Sequence, residues 1–333
     1  MQKFSSIEQF KSAKRSVEIR TQFAGLGPDG EAIVDRTRKS PVLDYDGTVK
    51  IHGCCISVRI ENGVLTCQSR EREISVTDDN YGFAKFIAAL PQGTLQGVFG
   101  DNVVIHGEWA GKGIQPTVAV SQVDKFWTVF SIVKLGEETN YVDIEGISRF
   151  PAIYSLNKHR IFGNWQFGVF NISIDFENPG VSVNEMNRLT LEVEKECPVG
   201  KFFGISGIGE GIVWRPTDPK WNESRFVFKV KGAEHSASKV VVLATVDTVK
   251  VASAASFVEK HLSEGRLQQG FNWLGENKHP QTKQSMGLFI KWVLSDLLKE
   301  ESDVLVASGL TERDINGEAT KTARNWFFNK TKF

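Results

Sequence analysis

The chain carries two textures of apolar and polar residues. Up to about residue 240 short apolar runs mostly alternate with polar positions, whereas beyond Thr245 apolar residues recur at helical spacing. In the first texture Ile56, Val58 and Ile60 alternate with Ser57 and Arg59. Asn62-Gly63 then supplies a tight hairpin turn, and Val64 to Gln68 returns as the partner strand. Further strands are predicted at Val103–Glu108, Phe126–Val133, within the aromatic stretch Ile161–Phe176, and at Gly211–Trp214 and Phe226–Lys231. Thr77 to Asn80 offers N-cap chemistry to a short helix carrying Phe83, Phe86, Ile87 and Leu90, which Pro91 stops. Asn184–Glu196 reads as a helix with Met186, Leu189 and Val193 on one face. The first 40 residues are charged, and Gly25, Gly27, Pro28 and Gly30 mark a loop.

In the second texture Val258, Leu262, Leu267, Phe271 and Leu274 predict helical segments broken at Gly265 and Gly275. The strongest helix is Gln284–Glu301, with Met286, Phe289, Ile290, Val293, Leu294 and Leu297 in one stripe, and a last helix is predicted over Gly317–Asn329. The expectation is an α+β domain rich in antiparallel sheet over residues 1–240, followed by a small all-α domain over 245–333.

Composition narrows the class. A length of 333 residues suits two domains, and 41% hydrophobic residues with 23 Phe and 8 Trp exclude a disordered polar chain. Cys54, Cys55, Cys67 and Cys197 form no close pair of the kind that a zinc site uses, and their scarcity suits a reducing compartment. No apolar run reaches the roughly 18 residues that a membrane span needs, so a soluble, cytoplasmic protein is expected. Forty basic residues balance forty acidic ones, which excludes indiscriminate coating of nucleic acid. Local clamps remain open to it: Lys220–Lys239 holds five basic and two acidic residues, and Thr320–Phe333 holds four basic and none acidic.

Four segments carry candidate chemistry. Lys50-Ile51-His52-Gly53 precedes the first hairpin; a lysine there is ordinarily a solvated charge. Gly107-Glu108-Trp109-Ala110-Gly111-Lys112-Gly113 is a strand entering a glycine-rich loop, and Glu210-Gly211-Ile212-Val213 brings a carboxylate to an apolar strand. In Phe226–Lys231 the alternation sends Lys229 and Lys231 to the same face, either as a solvated surface or as a clamp for phosphate.

Taken in chain order, these segments resemble the covalent nucleotidyltransferase superfamily of polynucleotide ligases and capping enzymes, and more closely the phage RNA ligase 2 family. Lys50–Gly53 matches the Lys-x-Asp/His-Gly signature, and Ser69-Arg70 stands where the family places its next arginine. Gly107-Glu108 with Ala110, Gly111, Gly113, Ile114 and Gln115 matches the third motif, and Trp127–Ile132 the phenylalanine-bearing strand after it. Glu210-Gly211 and Lys229-Val230-Lys231 match the last two, while Glu264–Leu267 and the Met286–Glu301 helix resemble the helical tail domain.

The resemblance implies an ATP-grasp-like ligase domain and a monomeric, ATP-dependent RNA ligase that works with Mg2+ or Mn2+, in a host cytoplasm if phage-encoded. Its substrates would be RNA 5′-phosphate and 3′-OH ends, a nicked duplex among them. Lys50 would be the nucleophile that forms lysyl-AMP, its pKa lowered by burial, neighbouring cations and metal. Glu108 would bond the ribose and Arg70 the sugar or 5′-phosphate. Phe130 would stack on adenine, with Trp127 as a weaker platform, and His52 and Gly53 would complete the nucleotide site. Glu210 would organise nucleophile and metal, partly through water; Lys229 and Lys231 would hold the α-phosphate; Arg266 and Asp296 would serve strand joining. Alternatives are a DNA ligase, a capping-type nucleotidyltransferase, or a non-catalytic RNA-binding module that keeps the fold. The chain departs from the family at Val49, where it has Glu, at Cys54-Cys55, where it has Thr-Asn, and at Ser131, where it has Asp.

Overall fold

The computed structural model describes residues 4, 6–136, 151–232 and 254–331. The chain divides into two compact units, Met1–Gly232 and Ala233–Phe333. The boundary expected between residues 240 and 245 lies outside the described residues.

The strands are β1 (Glu8–Gln9), β2 (Phe23–Leu26), β3 (Ala32–Val34), β4 (Val42–Lys50), β5 (Cys54–Glu61), β6 (Val64–Ser69) and β7 (Glu73–Ile74). They continue with β8 (Val103–Ala110), β9 (Phe126–Lys134), β10 (Ile161–Gly163), β11 (Val169–Asp175), β12 (Gly211–Pro216) and β13 (Phe228–Lys231). Among the described residues they form a five-stranded sheet ordered β1-β13-β12-β4-β11 and a six-stranded sheet ordered β10-β9-β8-β5-β6-β7, with β2 and β3 as a separate pair. Pairing is antiparallel except at β1 with β13 and β10 with β9. The α+β, antiparallel-rich architecture therefore agrees with the alternation read in the sequence.

Each sheet has one apolar face for a simple reason, the two-residue period of a strand. On the six-stranded sheet Ile56, Val58, Ile60 and Ile105 pack with Phe83, Ala84 and Ile87 from the helix Phe83–Ala88. Asp79 starts that helix by accepting the Ala84 and Lys85 amides at 2.8 and 3.0 Å. The β5–β6 turn has both Asn62 and Gly63 at positive φ, 51° and 74°, matching the twist of the flanking strands. On the five-stranded sheet Tyr45, Val49, Ile212, Trp214, Phe228 and Val230 face Met186, Leu189 and Val193 of the helix Gly180–Lys195. Lys50, Lys229 and Lys231 alternate with those apolar positions and so lie on the other face.

The charged first 40 residues are more ordered than the loop expected there. Ala13 and Val17 bury one side of a helix, Phe10–Gln22, and the glycines lie in and around the β2–β3 pair. Few apolar positions among many Lys and Arg hid this helix. Helix Gly180–Lys195 starts four residues before the predicted Asn184, because Ser182 and Val183 are buried despite a poor helix-forming first turn.

The second unit is helical throughout its described residues apart from short connections: Ala254–His261, Glu264–Glu276, Met286–Ala307 and Glu312–Lys330, around Phe257, Leu267, Leu274, Phe289, Val293, Leu297, Ile315 and Phe327. Gly265 does not break a helix. Ser263 caps this one by accepting the Arg266 amide, which places Gly265 in the first turn, where the backbone N–H groups need no helical partner. The last helix starts before Gly317, at Glu312, through a reciprocal cap between Thr311 and Asp314.

Candidate active site

The chain passes from one sheet to the other at Lys50. This lysine ends β4, Ile51–Gly53 form the link, and Cys54 begins β5. Across the five-stranded sheet Gly211 is the cross-strand partner of both Lys50 and Lys231. A glycine is required there: its φ is +153°, and a Cβ would lie 2.2 Å from the Val230 carbonyl oxygen. Without a side chain between them, the two lysines share the carboxylate of the preceding residue. Glu210 Oε2 lies 2.8 Å from Lys50 Nζ, and Oε1 lies 3.1 Å from Lys231 Nζ. His52 Nδ1 is 3.3 Å from Glu210 Oε2. The Glu210 side chain is 2% exposed, so these contacts act with little screening by water.

Burial pushes the Glu210 carboxyl up, but Lys50, Lys231 and His52 outweigh it and hold the group well below the usual carboxylate range. Burial also pulls Lys50 down; Glu210 and then Glu108 more than reverse this and leave its pKa above 10.5. Lys231 goes the other way, lowered by burial and by Lys50 and Lys229 against the pull of Glu210. The sequence led us to expect a lowered pKa at Lys50. The protein's own groups instead raise Lys50, its ammonium bonded to Glu210 with Glu108 acting at longer range, and lower Lys231.

Glu108 Oε1 accepts the Gly53 amide at 3.1 Å, so the ends of β4–β5 and β8 are tied at the same place. Phe130 owes its direction to an irregular register, for His106 pairs with Ser131 while the next residue, Gly107, pairs with Val129. The extra residue is Phe130, and such bulges re-aim a side chain. Gly107 permits the close approach, since a Cβ there would lie 2.3 Å from Trp127 Nε1. Trp127 itself is 0% exposed and packs on Phe83 in the apolar core, so the structure removes it as a stacking platform.

Arg70 lies just past β6 and donates to Ser6 Oγ at 2.8 Å. Lys229 is half-buried on the face of β13 that carries Lys231. Sequence reasoning missed the N-terminal contribution. Phe4 meets Phe130 edge-on with ring centroids 4.8 Å apart, Ser6 meets Arg70, and Gln9 pairs with Lys229 in register. It also missed His106, buried beside Ser57 with Nδ1 and Oγ 2.6 Å apart, whose pKa burial lowers to about 4. Phe4, six residues before the helix Phe10–Gln22, offered no signal by itself.

Among the described residues there is no cluster of three or more His, Cys, Asp or Glu able to hold a metal ion by themselves. Glu210, with His52 beside it, is the carboxylate at the lysines. One carboxylate suits Mg2+, which keeps several waters and takes its other ligands from substrate phosphates.

A sequence model of the RNA ligase family matches residues 45–231, more than half of the chain. The chain belongs to the RNA ligase family. The matched stretch contains Lys50, Glu108, Glu210, Lys229 and Lys231. Among solved structures, the chain is similar to an RNA ligase mutant of Naegleria gruberi with ATP and Mn, at 14% identity and a TM-score of 0.45. It is also similar to the Naegleria gruberi RNA ligase with PPi, at 15% identity and a TM-score of 0.44. Each comparison covers 70% of this chain and 56% of the other, so the chain spans little more than half the length of these structures.

The second unit of this RNA ligase family member lies beyond the matched residues, and there the structure brings Arg266 and Asp296 together. Arg266 is 0% exposed: Nε lies 3.0 Å from Asp296 Oδ2, Nη2 lies 3.2 Å from Glu301 Oε1, and Nη1 donates to the His261 carbonyl at 2.6 Å. It is not a surface charge but an interior clamp that positions Asp296, whose side chain is 23% exposed. Arg266→Ala leaves two carboxylates without their buried partner. Denaturant unfolding of the variant is expected to lose about 3–5 kcal/mol. No helix of the described residues is long and apolar enough to cross a membrane.

Proposed function

We propose that the protein joins RNA ends in an ATP-dependent reaction with a covalent nucleotide intermediate. The observation that carries this reading is the sharing of Glu210 by Lys50 and Lys231 at the junction of the two sheets. A lysine amine, a second cation and a carboxylate at one point are the protein groups that phosphoryl transfer by a lysine uses, together with a divalent metal.

In this reading Lys50 Nζ, once deprotonated, attacks the α-phosphorus of ATP. The bond to the β-phosphate oxygen breaks, pyrophosphate leaves, and AMP remains on Lys50 through a P–N bond. An RNA 5′-phosphate oxygen then attacks that phosphorus and releases the lysine. Finally an RNA 3′-OH attacks the 5′-phosphorus, expels AMP and leaves a phosphodiester.

Lys231 and Lys229 hold the α-phosphate oxygens, and Glu108 bonds the ribose. Phe130 stacks on the base, and Arg70 meets the sugar or the RNA 5′-phosphate. His52 and Gly53 shape the site beside the nucleophile. Mg2+ or Mn2+ would bind at Glu210 and neutralise charge on the phosphates. Asp296, positioned by Arg266, serves the strand-joining steps.

Incubation with ATP or GTP labelled at the α-phosphate tests the proposal. Label from ATP on the peptide containing Lys50, stable to alkali but lost in hot acid as a P–N bond is, and released on adding 5′-phosphorylated RNA, supports it; absence of label from either nucleotide would sink it. The pH dependence has a definite sign. Lys50 titrates above 10.5 in this structure, so its free-amine fraction at neutral pH is small. Labelling is expected to rise about tenfold per pH unit between pH 6 and 8, read from initial rates.

A further inference from the structure

We infer that His106, Ser57 and Ser131 form the wall that reads the nucleobase of the donor nucleotide; the inference rests on the joining reaction proposed above. The three residues lie in one row across the six-stranded sheet, Ser57 paired with His106 and His106 with Ser131. They are 3%, 1% and 0% exposed. The opposite face of the same strands is filled by Ile56, Val58, Ile105 and Ile132, so an interior row here needs no polar residue for packing.

The row adjoins the site. His106 stands two residues before Glu108 on β8 and therefore shares its face. The next row carries Cys55, Glu108 and Thr128, and the bulged Phe130 lies between Thr128 and Ser131. Phe4 links the two groups, its ring centroid 5.3 Å from His106 and 4.8 Å from Phe130. A base stacked on Phe130, with its ribose toward Glu108, presents its edge to His106 and Ser131.

Two observations point to a polar ligand at that edge. Ser131 Oγ and Thr128 Oγ1 are buried with no hydrogen-bond partner. Buried hydroxyls are nearly always bonded, and an orphan pair on one face marks a place that another molecule satisfies. The second is the bond of 2.6 Å between Ser57 Oγ and His106 Nδ1. If Nδ1 accepts from the hydroxyl, Nε2 of a neutral ring is a donor; if Nδ1 donates, Nε2 is an acceptor. The serine hydroxyl can donate or accept, so the polarity of Nε2 follows the tautomer, donor in one and acceptor in the other. Adenine's amino donor pairs with the tautomer whose Nε2 accepts, the one in which Nδ1 donates to Ser57, whereas guanine's carbonyl pairs with the other.

The test measures label transfer from ATP and from GTP to the full-length protein with Mg2+, for wild type, Ser131→Ala and the double variant Ser57→Ala/His106→Phe. Ser131→Ala loses no internal bond, so its unfolding midpoint is expected to match wild type while its KM for ATP rises several-fold. In the double variant both members of the buried bond become apolar, and the preference for ATP over GTP is expected to fall about tenfold or more, through KM rather than the saturating rate. Unchanged KM and preference in a folded Ser131→Ala would overturn the inference, whatever the double variant does. If wild type takes no label at all, the joining reaction fails first, and this inference with it.

Discussion

Lys50→Arg is expected to carry no covalently bound nucleotide, its label at least about a thousandfold below wild type, while unfolding at the wild-type midpoint. Arginine keeps a cation on Glu210 but stays protonated, so it cannot attack phosphorus. Lys50→Ala should lose the label equally and cost stability as well, since it leaves Glu210 with one lysine instead of two. The pair of variants separates chemistry from charge balance. They also decide between two candidate amines, because Lys231 is the one whose pKa is lowered. Label mapped to Lys231 in the Lys50 variants would reassign the nucleophile. None is expected there, since the Lys-Ile-His-Gly segment that matches the nucleophile signature begins at Lys50 and not at Lys231.

Glu210→Gln should damage stability and rate together. It leaves Lys50 and Lys231 as buried cations with no carboxylate between them, an arrangement that costs about 3–5 kcal/mol in denaturant unfolding. Labelling at saturating ATP should fall by about 10²–10³, the usual loss when a charged group that organises phosphoryl transfer is neutralised. The pH profile should shift in a defined direction. Without Glu210 the Lys50 ammonium loses its main stabilising partner, so the residual rate should level off at lower pH than in wild type. Stability responds as well. The folded-state pKa of Glu210 is depressed, so its contribution is present above the ordinary value of 4.5 and disappears as pH falls through the lower folded value. Acid titration of the unfolding midpoint should therefore be flatter in Glu210→Gln, and identical profiles would remove Glu210 from its assigned place.

Much of the site was legible because strands preserve sequence spacing as geometry. Lys229 and Lys231 share a face through simple alternation, and the hairpin at Asn62-Gly63 sets the register of β5 against β6. What alternation does not encode is which residues meet between distant strands. The sharing of Glu210 by two lysines depends on Gly211 standing between β4 and β13, a register fixed by tertiary packing. Phe4 and Ser6 were invisible for the same reason, lying more than sixty residues from Arg70 and farther still from Phe130. Trp127 misled because it neighbours Phe130 in sequence, whereas the bulge sends the two side chains to different surroundings. The burial of Arg266 was not legible because nothing local announces that three acceptors surround it.

The two-residue strand β1 has a consequence for assembly. It covers the outer backbone of β13 at Phe228 and Lys229, the strand that supplies the lysine pair. A chain shortened to begin at Phe10 would present that backbone as an open sheet edge, a ready template for another copy of the same strand. Such truncations should form higher-order species as concentration rises, and sizing the wild-type and shortened chains side by side would reveal them.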